Sequence, residues 1–376
     1  MPADRPKGDD ALVRLRWANV ATVDARRPGA WELTVDLDGR PQDALAYPSL
    51  VGPVGAGDRV LLNTTAVALG LGTGGWHLVI AVERAPATEP AHDGRVMKAR
   101  YTPLQVAVRT VEETHRELLE AERGLGGMPV VCAPLHSMIA PVAAGAKAAA
   151  SASVAYVMTD GAALPGAFSR LVPRLREASL LDGVVTCGQA FGGGDVEAVT
   201  LWSGLLAARH VLGAEVAVVA DGPGNLGTDT TWGVSALSSG EALNAVDALR
   251  GRPVAALRIS FRDERERHRG VSHHSLTILD RIATARADVA VPALDDEAQR
   301  TAVWDALRAR GLEDRHQLVE VDGRPALEAL REAAVEVTSM GRSAGDDPAF
   351  FLAAGAAGVL AGRMAARSRS YRPDPE

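Results

Sequence analysis

Short runs that alternate apolar and polar residues dominate residues 12–83 of the chain. Runs such as WELTVDL are separated by turn signals, of which Pro28-Gly29 is one. Alternation with a period of two, bounded by glycine and proline, indicates half-buried strands. We therefore predict a small antiparallel β-barrel or β-sandwich domain over residues 1–84, followed by a linker at residues 85–94.

A second pattern covers residues 95–366, where continuous apolar runs alternate with longer segments of helical character. The runs are MPVVCAP, SVAYVMTD, GVVTCGQ, EVAVVADG, PVAALRIS, ADVAVPAL, HQLVEVDG and VEVTSM. Runs that are apolar on both faces are typical of parallel strands covered by helices on both sides. They fit an open doubly wound sheet or a closed eight-stranded barrel, and we favour the open sheet because the helical segments vary in length and a long polar insertion follows Ser260. The predicted fold class is α/β, a doubly wound mostly parallel sheet preceded by a small N-terminal β-barrel-like domain, with residues 95–366 as the α/β domain.

The most membrane-like segment is residues 349–361, which is shorter than the ~20 apolar residues needed to span a bilayer and is closed by Arg363. We predict a buried helix here and no membrane as a partner. Small residues recur across residues 350–362, so this helix packs closely inside the core, which we favour, or against a second subunit of a homo-oligomer. Residues 367–376 are predicted to form a disordered tail.

Charge and cysteine content narrow the classes of partner. The chain of 376 residues carries 40 Lys and Arg against 47 Asp and Glu, a formal charge of −7, so we predict no nucleic-acid partner. Its cysteines, Cys132 and Cys187, both lie in apolar stretches, which favours a reducing compartment over a disulfide framework. The N-terminus lacks the apolar stretch of a secretory signal, so we predict a cytoplasmic protein. Cys187 is also a strand-end thiol that a helix N-terminus would activate, but a buried apolar role is favoured.

Polar or glycine residues follow the predicted strands at positions that would meet at one edge of the sheet. Ligands of α/β proteins bind at the carboxyl ends of the strands, where loops and helix N-termini converge. We predict His136 and Asp160 as catalytic residues, and Asp160 and Asp221 as candidate ligands of a divalent metal ion whose identity stays open. The candidate ligand-binding residues of this edge are Ser137, Gly188, Gln189, Gly192, Gly193, Gly194, Asp221, Gly222, Gly224 and Arg342.

Two glycine-rich loops belong to this edge. Residues 188–194 stand between a predicted strand and a predicted helix with Asp195 as its N-cap, so their N–H groups are expected either to cradle an anion or to allow a tight turn. This loop matches neither a P-loop nor a dinucleotide-binding fingerprint. Residues 221–233 contain Asp221 and Asp229 and are expected to wrap a ligand or cation, or to form a structured surface turn.

The densest group of chemically active residues is ISFRDERERHRGVSHHSLTILD, with His268, His273 and His274 as candidate catalytic residues. If Ser272 caps the following helix, the helix dipole lowers the imidazole pKa values and keeps the rings neutral, as a general base or a metal ligand requires. Adjacent side chains point about 100° apart on a helix, so we favour one catalytic histidine with a supporting neighbour over histidines that share one ion. Arg269 is a candidate for binding a carboxylate or phosphate; a solvated charged face is the alternative.

Several segments together resemble one bacterial family. They are GDRVLLNTTAVALGLGTGGWH (57–77), RYTPLQ (100–105), PLHS (134–137), YVMTDGAALP (156–165), TCGQAFGG (186–193) and RGVSHHS (269–275). With these residues the chain is similar to the bacterial domain-of-unknown-function 3866 family over about residues 12–291. The resemblance implies a one-piece architecture and brings no established activity, substrate or catalytic residue.

Two functions from different classes fit these patterns. The first is an uncharacterised cytoplasmic enzyme that acts on a small anionic substrate, phosphorylated or carboxylated, by metal assistance or by His and Asp acid–base chemistry at the strand ends. The alternative is a non-catalytic metabolite-binding or scaffold protein that uses its N-terminal β-domain for partner contacts. No cofactor is identified beyond the candidate divalent metal.

Overall fold

A computed structural model describes residues 12–72, 74–84, 93–121, 124–228 and 230–370. The chain divides into two compact units, Met1–Ala91 and His92–Glu376. The division falls within the segment that the sequence predicts as a linker, residues 85–94.

The first unit is a small closed barrel. Its strands are β1 (Leu15–Arg27), β2 (Ala30–Leu37), β3 (Arg40–Ala46), β4 (Arg59–Asn63) and β5 (His77–Val82), with short helices α1 (Pro48–Val51) and α2 (Thr65–Ala68). The strand order is β1-β2-β3-β5-β4. Inward positions alternate along each strand, as Leu33, Val35, Val60 and Leu62 do, and are fully buried. The predicted β-barrel is confirmed, with one departure from the antiparallel prediction: β3 and β5 pair in parallel because β4 intervenes between them in sequence.

The second unit is built on an eight-stranded sheet in which every neighbouring pair is parallel. Its strands are β8 (Pro129–Cys132), β9 (Val154–Thr159), β10 (Gly183–Cys187), β11 (Val196–Ala198), β12 (Val216–Asp221), β13 (Arg252–Ala256), β16 (Asp288–Pro292) and β17 (Gln317–Val321), in the order β11-β10-β9-β12-β8-β13-β16-β17. Two small antiparallel ribbons accompany it, β6 (Val96–Lys98) with β7 (Val106–Val108), and β14 (Ile259–Ser260) with β15 (Gly270–Val271). The predicted open, parallel α/β sheet is confirmed.

Helices cover both faces of this sheet. They are α3 (Val111–Thr114), α4 (Arg116–Glu120), α5 (Ile139–Ala150), α6 (Leu171–Glu177), α7 (Leu201–His210), α8 (Ser238–Ala248), α9 (His273–Thr277), α10 (Glu297–Arg308), α11 (Leu312–Arg315), α12 (Arg324–Glu332) and α13 (Pro348–Ser370). A π-helical turn, Ile278–Ile282, extends α9. Alternate strand residues face the two layers: Tyr156 and Met158 of β9 pack with α5, α6, α12 and α13, while Val157 packs with α7, α8 and α10.

One predicted strand is wrong. The run VEVTSM, residues 335–340, pairs with no strand of the described residues, although Val335 is buried and Glu336 exposed in an alternating pattern. The eighth strand is β11, a three-residue edge strand inside the loop that follows β10. Three residues are too few to give a periodic signal in the sequence.

The long helix α13 lies in the core. It is apolar and long enough to cross a membrane, but 83% of its most apolar window is buried within the protein. A Cβ atom on Gly358 would meet the carbonyl oxygen of Val142 in α5, so the small residues let these two helices approach closely. The predicted buried helix is confirmed, whereas Arg363 does not end it.

The predicted disordered tail begins too early. Residues 367–370 belong to α13, and Arg369 ties the end of this helix to Glu215 by an ion pair of 3.2 Å. Residues 371–376 lie outside the described part of the chain.

Candidate functional site at the carboxyl edge of the sheet

Five adjacent strands of the parallel sheet, in the order β10-β9-β12-β8-β13, end at one edge. Gly188 follows β10, Asp160 follows β9, Asp221 ends β12 and His136 follows β8, while the histidine-rich segment follows β13. Neighbouring strands lie about 4.8 Å apart, so this edge spans roughly 20 Å. The predicted residues therefore share one edge but form two separate groups along it, an acidic group at β9 and β12 and a histidine group beyond β13.

The position of the acidic group follows from the topology. The chain leaves β8 through α5, which packs on one face of the sheet, and leaves β12 through α8, which packs on the other face. Since β8 and β12 are neighbours, the connections diverge between their carboxyl ends. A crevice at such a switch point is the usual ligand site of an open α/β sheet.

Asp221 is the buried acid of this group, with 3% of its surface exposed. The Thr159 hydroxyl donates to its carboxylate, and the Ser238 hydroxyl lies 3.5 Å from both oxygens. Burial raises the pKa of Asp221, the hydrogen bond from Thr159 opposes this shift, and the nearby charge of Asp160 adds to it. Asp221 therefore holds a proton at higher pH than an ordinary aspartate, with hydrogen-bonding groups on two sides.

Asp160 is only partly buried, and the chain after β10 holds it in place. The N–H of Gln189 donates to its Oδ2 at 2.7 Å. Gly188, at φ +98°, brings its Cα so close that a Cβ there would collide with the Asp160 carboxylate. Gly188 and Gln189 thus position an acid, and the Gln189 side chain also accepts a hydrogen bond from Arg100.

The glycine loop at residues 192–194 uses its N–H groups within the protein. Gly193 donates to Glu197 Oε1 at 2.6 Å, and Gly194 donates to Thr186 Oγ1 at 3.0 Å. Glu197 in turn pairs with the fully buried Lys98 at 2.6 Å. The carboxylate of Glu197 therefore occupies the cradle that the sequence assigned to an external anion. We missed Lys98 and Glu197 because each belongs to a short segment with no recognisable motif.

The N-cap predicted at Asp195 is wrong. Asp195 accepts a hydrogen bond from the Val184 N–H at 2.9 Å and pairs with Arg176 at 2.7 Å. The helix α7 begins only after β11 and is capped by Thr200, whose side chain accepts from the Ser203 N–H. The intervening edge strand is the reason for the displacement.

The second glycine loop follows Asp221. Gly222 packs against Leu164 and Met158, where a Cβ atom would lie 2.5 Å from Met158 Cε, and Gly224 has φ +106°. Both glycines thus shape the turn beside the acidic group. Asp229 lies outside the described residues.

His136 is buried beneath this edge and uses both ring nitrogens. Its Nδ1 lies 3.2 Å from the Tyr156 hydroxyl and its Nε2 2.8 Å from the Ser169 hydroxyl. Burial lowers the pKa of His136 to about 4. The Tyr156 hydroxyl also lies 3.0 Å from the Asp221 carbonyl oxygen, so His136 supports the backbone of β12. Next to it, Ser137 donates to Ser339 at 3.1 Å.

The histidine group forms a compact cluster. Ring centroids lie 3.9 Å apart for His273 and His274, and 5.1 Å from His268 to either of them. One nitrogen of each ring lies within 4.8 Å of the other two. The predicted N-cap is confirmed, since the Ser272 side chain accepts from the His274 N–H, and the same hydroxyl lies 2.8 Å from His268 Nδ1. The two adjacent rings sit at the first helical turn and converge with His268 from the preceding turn, although adjacent side chains were expected to point apart. The choice between one catalytic histidine and histidines that share an ion stays a prediction.

The cluster is electrically neutral at neutral pH. Burial, aided by the charges of Arg258 and other arginines, lowers the pKa of His268 to about 3. Burial and the neighbouring His273 lower the pKa of His274 to about 4, and the pKa of His273 is also lowered. All three imidazoles therefore have a lone pair available without loss of a proton.

Three arginines near the histidine group pair with buried acids, namely Arg258, Arg265 and Arg342. Asp263 lies 2.9 Å from both Arg258 and Arg265. Burial alone would raise the pKa of Asp263, but the hydrogen bonds and charge of Arg265 outweigh it and hold the pKa well below the usual range. Arg342 pairs with Asp347 at 3.3 Å. The sequence did not predict the pairing of Asp263 with these arginines, because Asp263 belongs to a charged run that is typical of a solvated surface.

The exposed Arg269 follows the turn that contains His268. The role of Arg269 as a ligand of a carboxylate or phosphate stays a prediction.

Cys187 does not have the character of a nucleophile. Its thiol is buried beneath the acidic group and lies 3.3 Å from the Met158 carbonyl oxygen. Burial raises the pKa of this thiol to about 12. The favoured apolar role is the one that the structure supports.

A cavity of about 780 Å³ lies at the opposite, amino edge of the sheet. Its polar side chains include Arg209, which donates to the Ala214 carbonyl at 3.0 Å, and His210, which contacts the Gly124 carbonyl at 2.7 Å. Both side chains hold loops through these hydrogen bonds. The carboxyl edge, with its acidic and histidine groups, is therefore the better candidate for a functional site.

The fold and this edge define an α/β protein with a doubly wound parallel sheet and a separate N-terminal barrel. Residues 43–358 match the family model described as "Protein of unknown function (DUF3866)", and the chain belongs to this family. The resemblance seen in the sequence motifs is thereby confirmed. No curated protein matches the chain.

Proposed function

We propose that the protein is an enzyme that acts on a small anionic molecule, phosphorylated or carboxylated, at the carboxyl edge between β12 and β8. The observation that carries this proposal is Asp221, a buried carboxyl group with a raised pKa at the switch point of the sheet. Buried acids with shifted pKa values are characteristic of catalytic positions.

Acid–base chemistry is the role that suits Asp221. A carboxyl group with a raised pKa keeps its proton to higher pH than an ordinary aspartate, which suits it to donate that proton to a substrate and take it back. Asp160 lies at the end of the adjacent strand in a more exposed environment, and paired carboxyl groups in unlike surroundings divide the acid and base roles. In this scheme Asp160 orients the substrate or binds a cation that accompanies it.

An anionic substrate is supported by the helices that start at this edge. The helix α5 begins at Ile139, soon after β8, and α8 begins at Ser238, whose hydroxyl lies 3.5 Å from Asp221 after the loop that follows β12. The positive dipole ends of both helices therefore lie at this edge. Arg100, held by Gln189, adds a positive charge near Asp160. These groups compensate the negative charge that a substrate brings toward the two aspartates.

The test compares two changes of the same chemistry at opposite edges of the sheet. Asp221→Asn removes the acid, and Asp182→Asn alters a carboxylate that accepts from the Val154 N–H at the amino edge. Thermal unfolding of each variant is followed with inorganic phosphate, citrate and a panel of phosphate monoesters and carboxylic acids. We expect at least one compound to stabilise the wild type and Asp182→Asn, with its chemical conversion lost in Asp221→Asn.

Equal ligand stabilisation and equal conversion in the wild type and Asp221→Asn would reject the assignment. Binding without conversion of any compound would favour a metabolite-binding protein instead of an enzyme.

We propose the cytoplasm as the location and no nucleic acid or membrane as partner. Support comes from the two free and buried thiols, Cys132 and Cys187, and from the formal charge of −7. Self-association stays a prediction.

A further inference from the structure

We propose that His268, His273 and His274 form a binding centre for one transition-metal dication of the zinc type, separate from the acidic group at Asp221. The geometric basis is convergence of three imidazoles: one nitrogen of each lies within 4.8 Å of the others. Tetrahedral zinc with bonds of about 2.0–2.1 Å needs nitrogen atoms roughly 3.3 Å apart. The nitrogen atoms would therefore have to approach one another by up to about 1.5 Å when an ion binds.

Two of the nitrogens lack any other function among the described residues. His273 Nε2 and His274 Nδ1 are buried and have no hydrogen-bond partner there. His274 is only 5% exposed, so its free nitrogen faces the protein interior. Buried polar atoms are nearly always satisfied, and an ion bound between the rings satisfies both at once.

The third ring is oriented as a metal ligand normally is. His268 Nδ1 lies 2.8 Å from the Ser272 hydroxyl, which fixes the ring and leaves Nε2 to face the ion. Arg267 Nε lies 3.4 Å from this Nε2, a long contact that the metal would replace. Ser272 is itself fully buried and fixed by the His274 N–H, so one hydroxyl couples two of the three ligands.

The class of metal follows from the ligands and the surrounding charge. Three imidazole nitrogens suit zinc, cobalt, nickel or copper, whereas magnesium and calcium prefer oxygen. Neutral rings add no negative charge, and Arg258 and Arg267 lie nearby, so an exchangeable anion or hydroxide suits the fourth position. A site with three protein ligands and one exchangeable anion is the arrangement of catalytic rather than structural zinc. His273 is only partly buried and gives the ion a path from solvent.

The experiment uses the full chain, stripped with a chelator and then equilibrated with Co²⁺ or Zn²⁺ alone. Bound metal is measured by mass spectrometry after gel filtration, and Co²⁺ coordination by its visible absorption. We expect one ion per chain. Replacing a ligand, as in His274→Ala or His273→Ala, should weaken binding ~100-fold or more, and Ser272→Ala ~10–100-fold, because it only positions the rings.

His210→Ala is the matched control, since this ring lies at the other edge of the sheet and contacts the Gly124 carbonyl. It should bind Co²⁺ as the wild type does. Circular dichroism reports folding without metal, and the partly buried His273→Ala carries the test if His274→Ala does not fold. A wild type that retains no stoichiometric ion, or a folded His273→Ala that binds as tightly as the wild type, overturns the proposal. Neither result depends on the substrate at Asp221.

Discussion

Gly161 lies directly against the carboxylate of Asp221, so that a Cβ atom on Gly161 would come within 2.6 Å of both carboxylate oxygens. Asp221 is buried and cannot swing into solvent. The chain after β9 therefore approaches the acid at backbone distance, and only a residue without a side chain fits there.

Gly161→Ala should therefore displace Asp221 and destabilise the protein. Overpacking at a buried contact costs about 1–3 kcal/mol, and the raised pKa of Asp221 depends on the same close environment. Denaturant unfolding gives the free energy of unfolding, and ligand-induced thermal shifts report the site. Gly345→Ala is the control, because a Cβ there meets nothing closer than 3.7 Å. Equal stabilities of the two variants would show that Asp221 moves aside without cost.

Breaking the ion pair of Lys98 and Glu197 should destabilise the protein by leaving one charge without its partner. Lys98 is fully buried, and its ammonium lies 2.6 Å from Glu197. Lys98→Met leaves the Glu197 carboxylate, whose side chain is 12% exposed, without its partner, and stranding a charge in a buried pair typically costs about 3–5 kcal/mol. The double variant Lys98→Met with Glu197→Gln removes the stranded charge and should recover part of that loss. Denaturant unfolding of the wild type, both single variants and the double variant measures the coupling energy between Lys98 and Glu197. If the losses of the two single variants simply add up in the double variant, the two side chains are not coupled and the prediction is wrong.

The architecture was predictable because it rests on long, repeated patterns. Runs such as VVCAP and AYVMT are apolar on both faces, and this signal locates central parallel strands directly. The short edge strand β11 and the unpaired run at residues 335–340 were not predictable, because pairing depends on neighbours that a local pattern does not contain. Alternating burial of Val335 and Glu336 occurs without any strand partner.

The candidate site was predictable in position but not in its internal bonds. Residues after each strand, such as Asp160 and Asp221, do meet at one edge. The side chain that occupies the cradle of the glycine loop, Glu197, comes from the strand that follows it, and its partner Lys98 lies 99 residues away in sequence. Likewise, convergence of His268 with His273 and His274 depends on side-chain orientation at a helix start, which residue spacing does not determine.

Asp221→Asn should leave stability at neutral pH unchanged or raise it. Burial raises the pKa of Asp221 in the folded protein above its unfolded value, so its contribution to stability is present at low pH and is lost as pH rises through the folded pKa. A neutral amide of the same shape removes that loss. The free energies of unfolding at pH 3, below the unfolded pKa of about 3.9, and at pH 8 measure the difference, with the gain of Asn over Asp expected at the higher pH. A variant that is destabilised equally at both values would indicate a purely structural carboxylate.

Acid should destabilise the protein through its buried histidines before most carboxylates titrate. Burial lowers the pKa of His136 to about 4 in the folded state, while an unfolded histidine titrates near 6.5. Above pH ~6.5 both states are neutral and the folded state keeps its full stability; as pH falls from there toward 4, the unfolded state gains the proton first. Through His136 alone, the free energy of unfolding of the protein should then fall by about 2 kcal/mol between pH 7.5 and pH 5.

His136→Gln isolates that contribution. The variant lowers stability at all pH values through its lost contacts with Tyr156 and Ser169, but its further loss between pH 7.5 and pH 5 should be smaller than that of the wild type. His115→Gln, at an exposed position, should show the full loss of the wild type. Urea unfolding at both pH values gives the two differences. An equal acid loss in His136→Gln and the wild type would mean that the pKa of this ring is the same in the folded and unfolded states, which would contradict its lowering by burial.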